Sequence, residues 1–163
     1  MKTQYLMLMR HARAGWGKKI STDHERPLDE RGRKDAKKMG DTLREKNLFP
    51  NQIWSSDSTR TIQTVKLMLS PEVKPDTLFL PSFYQASLAC VFYVCEEYND
   101  PGCTSLMFMG HNPGWEDLLF YYTGTSLRMP TTACAVLKRT DSDEDWLDKS
   151  CWQLADYILP KML

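Results

Sequence analysis

The chain has no excess of charge of either sign. Its 163 residues carry 21 Lys and Arg side chains against 21 Asp and Glu side chains, so the formal net charge at pH 7 is zero. Binding to nucleic acid or to an anionic membrane surface draws on a basic excess. We therefore expect neither as a partner, and expect small anions or other proteins instead.

Long apolar runs and paired cysteine spacings are also missing. The apolar residues 5–9 are followed at once by Arg10, and the longest apolar run, residues 86–95, contains a serine. Neither segment is typical of a signal peptide or a membrane span. The five cysteines are odd in number and include no C-x-x-C pair, which favours reduced thiols. These features predict a cytoplasmic protein.

What the sequence does contain is an alternation of strand-like and helix-like segments, without a linker that would separate two domains. Strands are predicted at residues 5–9, 52–55, 77–80, 104–109, 133–137 and 151–157. Amphipathic helices are predicted between them, at residues 29–46, after Ser58, around residues 88–95 and at residues 115–122. This order predicts one α/β domain over residues 1–163, with a mainly parallel sheet.

Capping residues mark the ends of these helices. Asp29 and Ser58 have side chains that accept a hydrogen bond from a first helical turn, so each is predicted to begin a helix. Gly124 is predicted to end the last helix, because glycine readily adopts the left-handed conformation found at helix ends. The apolar stripe expected on the helix after Ser58 consists of Ile62, Val65, Met68 and Leu69.

Cationic side chains follow three of the predicted strands. Arg10, His11 and Arg13 come after the first strand, Arg60 follows the second, and His111 follows the fourth. Because the carboxyl ends of parallel strands meet at one edge of a sheet, we expect these side chains to share a crevice. Guanidinium groups match phosphoryl oxygens bidentately, and an imidazole can be the nucleophile toward phosphorus. The pattern therefore predicts a phosphate-binding site.

Several motifs in this region resemble those of one family. They are LMRHARA at residues 8–14, RPL at 26–28 with RG at 31–32, SSDSTRTIQT at 55–64, GHNPG at 110–114 and LPK at 159–161. The first is similar to the R-H-G/A signature of the histidine phosphatase superfamily, whose fold is phosphoglycerate mutase-like. Taken in order, the motifs resemble the short SixA-type branch, the protein phosphohistidine phosphatases. The resemblance implies a three-layer αβα sandwich with helices on both faces of the sheet.

The resemblance also implies a covalent mechanism that needs no metal and no cofactor. His11 would attack phosphorus and become phosphorylated, and water would then release phosphate. Arg10, Arg60 and His111 would hold the three equatorial oxygens, where charge is spread in the transition state. His11 must then be neutral at its attacking nitrogen, whereas His111 would act best as a cation. Arg13 is either a contact to the far side of the substrate or a solvated loop arginine.

A general acid is not evident in the sequence. No carboxylate lies in residues 80–84, and Asn112 stands where the acid-phosphatase branch carries an aspartate. Asp23, Glu116 and Asp117 are the nearby candidates. Asp23 is better explained by pairing with Arg26, and the other two by their position at a helix start. A site without an acid favours phosphohistidine, because imidazole leaves readily near neutral pH whereas an alkoxide does not.

Two other functions stay open on these residues. One is a phosphomonoesterase that acts on small or aryl phosphates, and the other is a phosphate-binding module without turnover.

Other phosphate and metal chemistries are not supported by the sequence. No cysteine is followed six residues later by arginine, which excludes a cysteine phosphatase, and no G-x-x-x-x-G-K-[ST] loop is present to bind a nucleotide. Zinc on His11 and His111 would be repelled by the arginines. The remaining histidine, His24, is expected to be a solvent-exposed loop residue.

Overall fold

The computed structural model describes residues 2–17, 19–20, 22–98, 102–142 and 144–163. Within them lie six strands and four helices of more than one turn. The strands are β1 (Thr3–Arg10), β2 (Gln52–Ser56), β3 (Asp76–Leu80), β4 (Ser105–Gly110), β5 (Cys134–Thr140) and β6 (Gln153–Ile158). The helices are α1 (Glu30–Glu45), α2 (Thr59–Met68), α3 (Leu88–Glu97) and α4 (Gly114–Thr123). Short 3-10 turns lie at Asp23–Glu25, Pro81–Phe83, Lys149–Cys151 and Pro160–Met162.

All six strands form one sheet in the order β3-β2-β4-β1-β5-β6. The four strands from β3 to β1 are mutually parallel, and β5 and β6 extend the sheet in antiparallel fashion. The predicted α/β class with a mainly parallel sheet is therefore confirmed. The arrangement brings the carboxyl ends of β1, β2 and β4 to one edge, since these three strands are neighbours.

Helices cover both faces of the sheet, because successive side chains of a strand point to opposite faces. On β1, Leu6 and Leu8 pack in one apolar cluster with residues of α3 and α4, among them Val91 and Trp115. The intervening Met7 and Met9 pack in a second cluster that holds buried residues of α1 and α2. The expected three layers are confirmed by these two cores.

The predicted helix caps are confirmed. The Asp29 carboxylate accepts a hydrogen bond from the Gly32 N–H at 2.8 Å, and Ser58 accepts one from Thr61 N–H. Gly124 ends α4 with a φ of 70°. A side chain at Gly32 would collide with the Arg13 carbonyl oxygen, so glycine there lets α1 begin against the loop that follows β1.

The stripe predicted for α2 is wrong in part. Val65 and Met68 are buried as expected, whereas Thr61 and Thr64 are buried in place of Ile62 and Leu69, which are only half-buried. The threonine hydroxyls donate at 2.7 Å to main-chain carbonyls of residues 56 and 60, so their burial leaves no donor unpaired. The polar face of α2 thereby packs against the edge of the sheet where the cationic side chains lie.

Within the parts of the chain that the structure describes, no helix combines the length and apolar character needed to cross a membrane.

Candidate active site

His11 follows β1 directly and is held in one orientation. Its Nδ1 lies 2.7 Å from the Ala12 carbonyl oxygen, which can only accept, so Nδ1 carries the proton and Nε2 is unprotonated. The main chain around it is fixed as well, since Ala12 N–H donates to the Thr64 hydroxyl and Thr132 N–H donates to the His11 carbonyl. The predicted requirement for an acceptor at the second ring nitrogen is thus met.

Burial gives His11 the neutral form that a nucleophile needs. The side chain is 7% exposed, and this burial is the main cause that lowers the pKa of His11 to about 3. The neighbouring His111, Arg60 and Arg10 lower the pKa further, against the opposing effect of the Ala12 carbonyl. His11 is therefore neutral near pH 7.

Arg60 lies in the first turn of α2 and joins the two histidines. Its Nε is 3.4 Å from Nε2 of His11, and its Nη2 is 3.3 Å from Nδ1 of His111. The two imidazole rings are 5.0 Å apart between centroids, with the guanidinium beside both. An anion that contacts Arg60 at this point would also meet both rings.

Asp23 holds Arg60 in place. Its main-chain oxygen accepts from Arg60 Nη1 at 2.8 Å, and its Oδ2 accepts from Nη2 at 3.0 Å. The same carboxylate accepts from the Tyr84 hydroxyl at 2.5 Å and from Arg26 at 3.1 Å. The pairing of Asp23 with Arg26 was predicted and is confirmed, whereas its contacts with Arg60 and Tyr84 were not foreseen.

These contacts keep the Asp23 carboxyl ionised. The hydrogen bond from Tyr84 is the largest cause that holds the pKa of Asp23 well below its usual range, and Arg60 and Arg26 act in the same direction against partial burial. An ionised carboxylate has no proton to give near neutral pH. Asp23 therefore orients the arginine, and its ionised state does not favour a role as general acid.

His111 follows β4 and presents the opposite nitrogen to the site. Its Nε2 lies 2.8 Å from the Ser56 hydroxyl, and its Nδ1 faces Arg60. Because a guanidinium only donates, Nδ1 must be unprotonated and Nε2 carries the proton. Burial first, and then Arg60, lower the pKa of His111 to about 4, although Asp23 raises it. In this arrangement His111 is therefore neutral, and the imidazolium expected in the transition state stays a prediction.

Arg10 ends β1 and is fixed by a loop. Its Nη1 donates to the Met129 carbonyl at 3.1 Å, and its Nε is buried with no hydrogen-bond partner among the described residues. Met129 is itself held by Glu116, whose Oε1 accepts from the Met129 N–H at 2.9 Å and from Asn112 Nδ2 at 3.0 Å. Glu116 therefore secures the loop beside Arg10. The third acid candidate, Asp117, is exposed and lines a separate groove.

All five predicted site residues line one cleft of about 220 Å³. His11, Arg60 and His111 lie at its floor, each less than 10% exposed. Arg13 is at the mouth, where its side chain is 55% exposed and pairs with Asp29 at 3.0 Å. Among the described residues, the lining includes no Asp or Glu. The other lining residues are Ala14, Arg26, Gln85, Asn112 and Thr131.

His24 is half-exposed, and its side chain has partners that the sequence does not predict. Its Nε2 lies 2.9 Å from the Asp57 carboxylate, and its ring packs edge-on against Tyr84 at 4.8 Å. The side chain is 40% exposed. His24 thus connects the turn that carries Asp23 to the end of β2. Residues 18 and 21 of the same loop lie outside the described residues.

The site has the composition of an anion-binding cleft. Four guanidinium groups line it, and Asp23 is the carboxylate that contacts two of them. A family model of the histidine phosphatase superfamily, branch 1, matches residues 6–78, which include Arg10, His11 and Arg60. The solved structure of SixA from Agrobacterium tumefaciens is similar with a TM-score of 0.80 at 26% identity, covering 96% of this chain and 98% of SixA. These similarities in sequence and fold support the predicted resemblance to the histidine phosphatase superfamily.

Further proteins are similar to this chain in fold or in sequence. SixA from Nakamurella multipartitia is similar with a TM-score of 0.82 at 20% identity and 98% coverage of both chains. A chloroplastic protein of Arabidopsis thaliana is 34% identical over 144 residues, which are 82% of this chain and 65% of that protein. A phosphoglycerate mutase of Bifidobacterium longum is 33% identical over 81 residues, 48% of this chain and 32% of the mutase. The chain thus spans 65% and 32% of the lengths of these two relatives. The SixA-type resemblance is confirmed.

Proposed function

We propose that the chain is a metal-independent phosphatase that acts through a phosphohistidine at His11, with phosphohistidine on proteins as its substrate. The orientation of His11 carries this proposal. Its Nδ1 proton is held by the Ala12 carbonyl, and its neutral Nε2 lies beside Arg60 at the floor of a cationic cleft. An imidazole so placed can attack phosphorus without first losing a proton.

Three groups around Nε2 would receive the oxygens of the phosphoryl group. Arg60 already faces both imidazoles, and Arg10 lines the cleft with one guanidinium nitrogen still unpaired. His111 would join them by taking up a proton at Nδ1, because a phosphoryl dianion beside that nitrogen favours the charged ring. The Ser56 hydroxyl can keep its hydrogen bond to Nε2 through this change. The negative charge on the phosphoryl oxygens in the transition state would then be stabilised by hydrogen-bond donors from all three groups.

The absence of a protonated acid favours a leaving group that departs unaided. Asp23 is ionised, and the described lining residues of the cleft include no carboxylate. In phosphohistidine the leaving group is an imidazole, the same group as the nucleophile. As the new P–N bond forms at His11 Nε2, the substrate P–N bond breaks and its electron pair stays on the substrate nitrogen. Because the other nitrogen of the substrate ring carries a proton in the reactive form, neutral imidazole leaves and no further proton needs to move. Water then attacks the phosphoenzyme and releases phosphate.

The mouth of the cleft supports a protein as the carrier of that phosphohistidine. Trp16 is 65% exposed, and the Arg26 guanidinium covers one face of its ring at 4.2 Å. Arg26 in turn lines the cleft. Exposed Trp and Arg side chains are the residues that most often carry binding energy between proteins. A phosphorylated side chain entering the cleft would place its own protein against this pair.

The test compares substrates in the presence of a metal chelator. Wild type, His11→Ala and the matched control His24→Ala are assayed on a phosphohistidine-bearing protein, a phosphoserine peptide and an aryl phosphate. We expect fast release from phosphohistidine that depends on His11 and leaves the phosphoserine peptide almost untouched. Faster hydrolysis of the aryl phosphate than of the phosphohistidine protein would favour the phosphomonoesterase. Tungstate binding without any turnover would favour the phosphate-binding module.

A second comparison tests the protein carrier. Trp16→Ala should raise KM for the phosphoprotein about tenfold and change KM for the aryl phosphate less than twofold, since only the protein reaches beyond the cleft. Tyr93→Ala is the matched control, because Tyr93 is an aromatic side chain of similar exposure, 62%, that does not line the cleft. Equal effects of the two substitutions would contradict a docking role for Trp16.

A further inference from the structure

Gln85 occupies an unusual position in the cleft. It is exposed at the mouth, lines the cavity, and has a φ of 50°, in the left-handed region that residues other than glycine seldom adopt. Such a conformation persists where the surrounding structure enforces it, and it is concentrated at functional sites. Gln85 is therefore a candidate for a role in binding.

The residues on either side of Gln85 fix it in this conformation. Phe83 is fully buried and packs edge-on against Phe108 and Trp115. The Tyr84 hydroxyl donates a hydrogen bond to the Asp23 carboxylate. On the other side, the Ala86 carbonyl oxygen fills the space beside Gly114 so closely that a side chain there would collide with it. Gln85 is thus held from both ends at the edge of the cavity.

The Gln85 amide is free to bind a substrate. The two arginines nearest the mouth already have partners, since Arg13 pairs with Asp29 and Arg26 pairs with Asp23. Within the described residues, the Gln85 side chain has no hydrogen-bond partner. A neutral amide offers both a carbonyl acceptor and N–H donors, in contrast to the arginines, which only donate.

The leaving group must depart toward this residue. His11 lies at the floor with only 7% of its surface exposed, so a substrate enters from the mouth. In-line displacement by His11 Nε2 then pushes the leaving group back outward, past the exposed residues of the mouth. Among the described lining residues, Asn112 Oδ1 also lacks a partner but is buried, whereas Gln85 carries its acceptor on an exposed side chain that is long enough to turn toward an imidazole.

We propose that Gln85 Oε1 accepts the hydrogen bond of the substrate imidazole N–H, and so selects phosphohistidine over phosphate esters. This inference rests on the function proposed above and names the residue that recognises its leaving group. The substrate ring keeps a proton on its unphosphorylated nitrogen while the P–N bond at the other nitrogen breaks. Gln85 would do for that ring what the Ala12 carbonyl does for His11.

The experiment pairs variants with a methylated substrate. Phosphoimidazole has a ring N–H at neutral pH, whereas its N-methyl derivative has none and an equally good leaving group. Wild type should prefer phosphoimidazole by roughly five- to tenfold in kcat/KM, the effect of one hydrogen bond. Gln85→Met, which keeps the length of the side chain, should reduce this ratio to about one. With an aryl phosphate, the same variant should change kcat/KM less than about twofold.

Gln85→Gly separates recognition from backbone conformation. Glycine adopts the positive φ readily, so this variant relieves the backbone yet lacks the amide. It should lose the preference for phosphoimidazole as Gln85→Met does, while its melting temperature stays at or above that of wild type. The role of Gln85 is overturned if either variant keeps the wild-type preference for phosphoimidazole over its N-methyl derivative. It is also overturned if kcat/KM falls equally for these two substrates and for the aryl phosphate. If wild type cleaves neither imidazole substrate in a His11-dependent manner, the proposed function itself fails.

Discussion

His11 and His111 lie on either side of Arg60 and present opposite nitrogens to it. His11 donates its Nδ1 proton to a main-chain carbonyl, an acceptor that cannot change role. His111 instead contacts the Ser56 hydroxyl through Nε2, and a hydroxyl can either donate or accept. The first ring is therefore held in the tautomer whose Nε2 is unprotonated, which a nucleophile needs. The second ring can take up a proton at Nδ1 and keep its hydrogen bond to Ser56, which suits a group that binds a developing charge.

The sharpest test of this difference is the covalent intermediate. His11→Ala should abolish an acid-labile phosphoenzyme and reduce turnover by about a thousandfold or more, because the nucleophile itself is lost. His111→Ala should still form the phosphoenzyme, with kcat about 100- to 1000-fold lower, as is typical when one oxyanion donor is removed. Rapid-quench trapping with labelled phosphohistidine measures both. A phosphoenzyme that persists in His11→Ala would assign the nucleophile elsewhere.

Proton uptake should distinguish the two rings directly. Tungstate binding at pH 7.5 is expected to draw about one proton onto His111, since the dianion raises the pKa of a ring whose own value is about 4. Calorimetry in two buffers of different ionisation enthalpy counts that proton. His111→Asn should remove the uptake and His11→Asn should leave it. If proton uptake disappeared in His11→Asn and persisted in His111→Asn, the proton would be taken up by His11, contrary to this assignment.

Both histidines should make the fold sensitive to acid. Their pKa values are lowered in the folded state, to about 3 for His11 and about 4 for His111, from about 6.5 in the unfolded chain. The unfolded state therefore binds protons first as the pH falls below 6.5, and the free energy of unfolding decreases until the folded-state values are reached. At pH 5 the decrease is about 2 kcal/mol for each histidine.

Urea unfolding at pH 7.5 and pH 5 measures this decrease. The double variant His11→Asn with His111→Asn should lose about 4 kcal/mol less than wild type between the two pH values. A variant with only one of the two histidines replaced should lose an amount of unfolding free energy midway between those of wild type and the double variant. If the wild-type and double-variant differences were equal, the two rings would not be held neutral by the fold.

The third histidine should matter least. His24 pairs with Asp57 at a half-exposed position, and such pairs contribute about 0 to 1 kcal/mol. His24→Ala is expected to change kcat by less than about threefold and to lower the free energy of unfolding by no more than about 1 kcal/mol. Steady-state kinetics and urea unfolding check both. A hundredfold loss of kcat would mean that the His24 contact with Tyr84 controls Asp23 and Arg60.

The sequence was sufficient to place the principal cationic residues, because their positions depend on topology. Parallel neighbours among β1, β2 and β4 put Arg10, His11, Arg60 and His111 at one edge, and that could be predicted from strand order. The capping roles of Asp29 and Ser58 are local, so spacing alone predicted them.

Contacts between loops were beyond sequence patterns. Asp23 and Tyr84 are 61 residues apart, and neither lies in a periodic segment. Their hydrogen bond therefore cannot be predicted from residue spacing. The buried threonines of α2 were missed for another reason. Hydrophobic periodicity treats Thr61 and Thr64 as polar, although a helix can satisfy their hydroxyls internally. The neutral state of His111 likewise depends on burial and on one contact with Arg60.

The position of β1 in the sheet has a consequence for how the protein is made. Residues 5–10 of β1 pair with residues 105–110 of β4, and the other side of β1 pairs with β5 as far as Thr140. A nascent chain must therefore carry this apolar strand unpaired while a further hundred residues are synthesised, which takes about 5 to 20 seconds at ribosomal rates. During that interval the strand is exposed to aggregation and to chaperones. His11 and His111 first meet when β4 has emerged, so the ability to bind an anion would report that the centre of the sheet has closed.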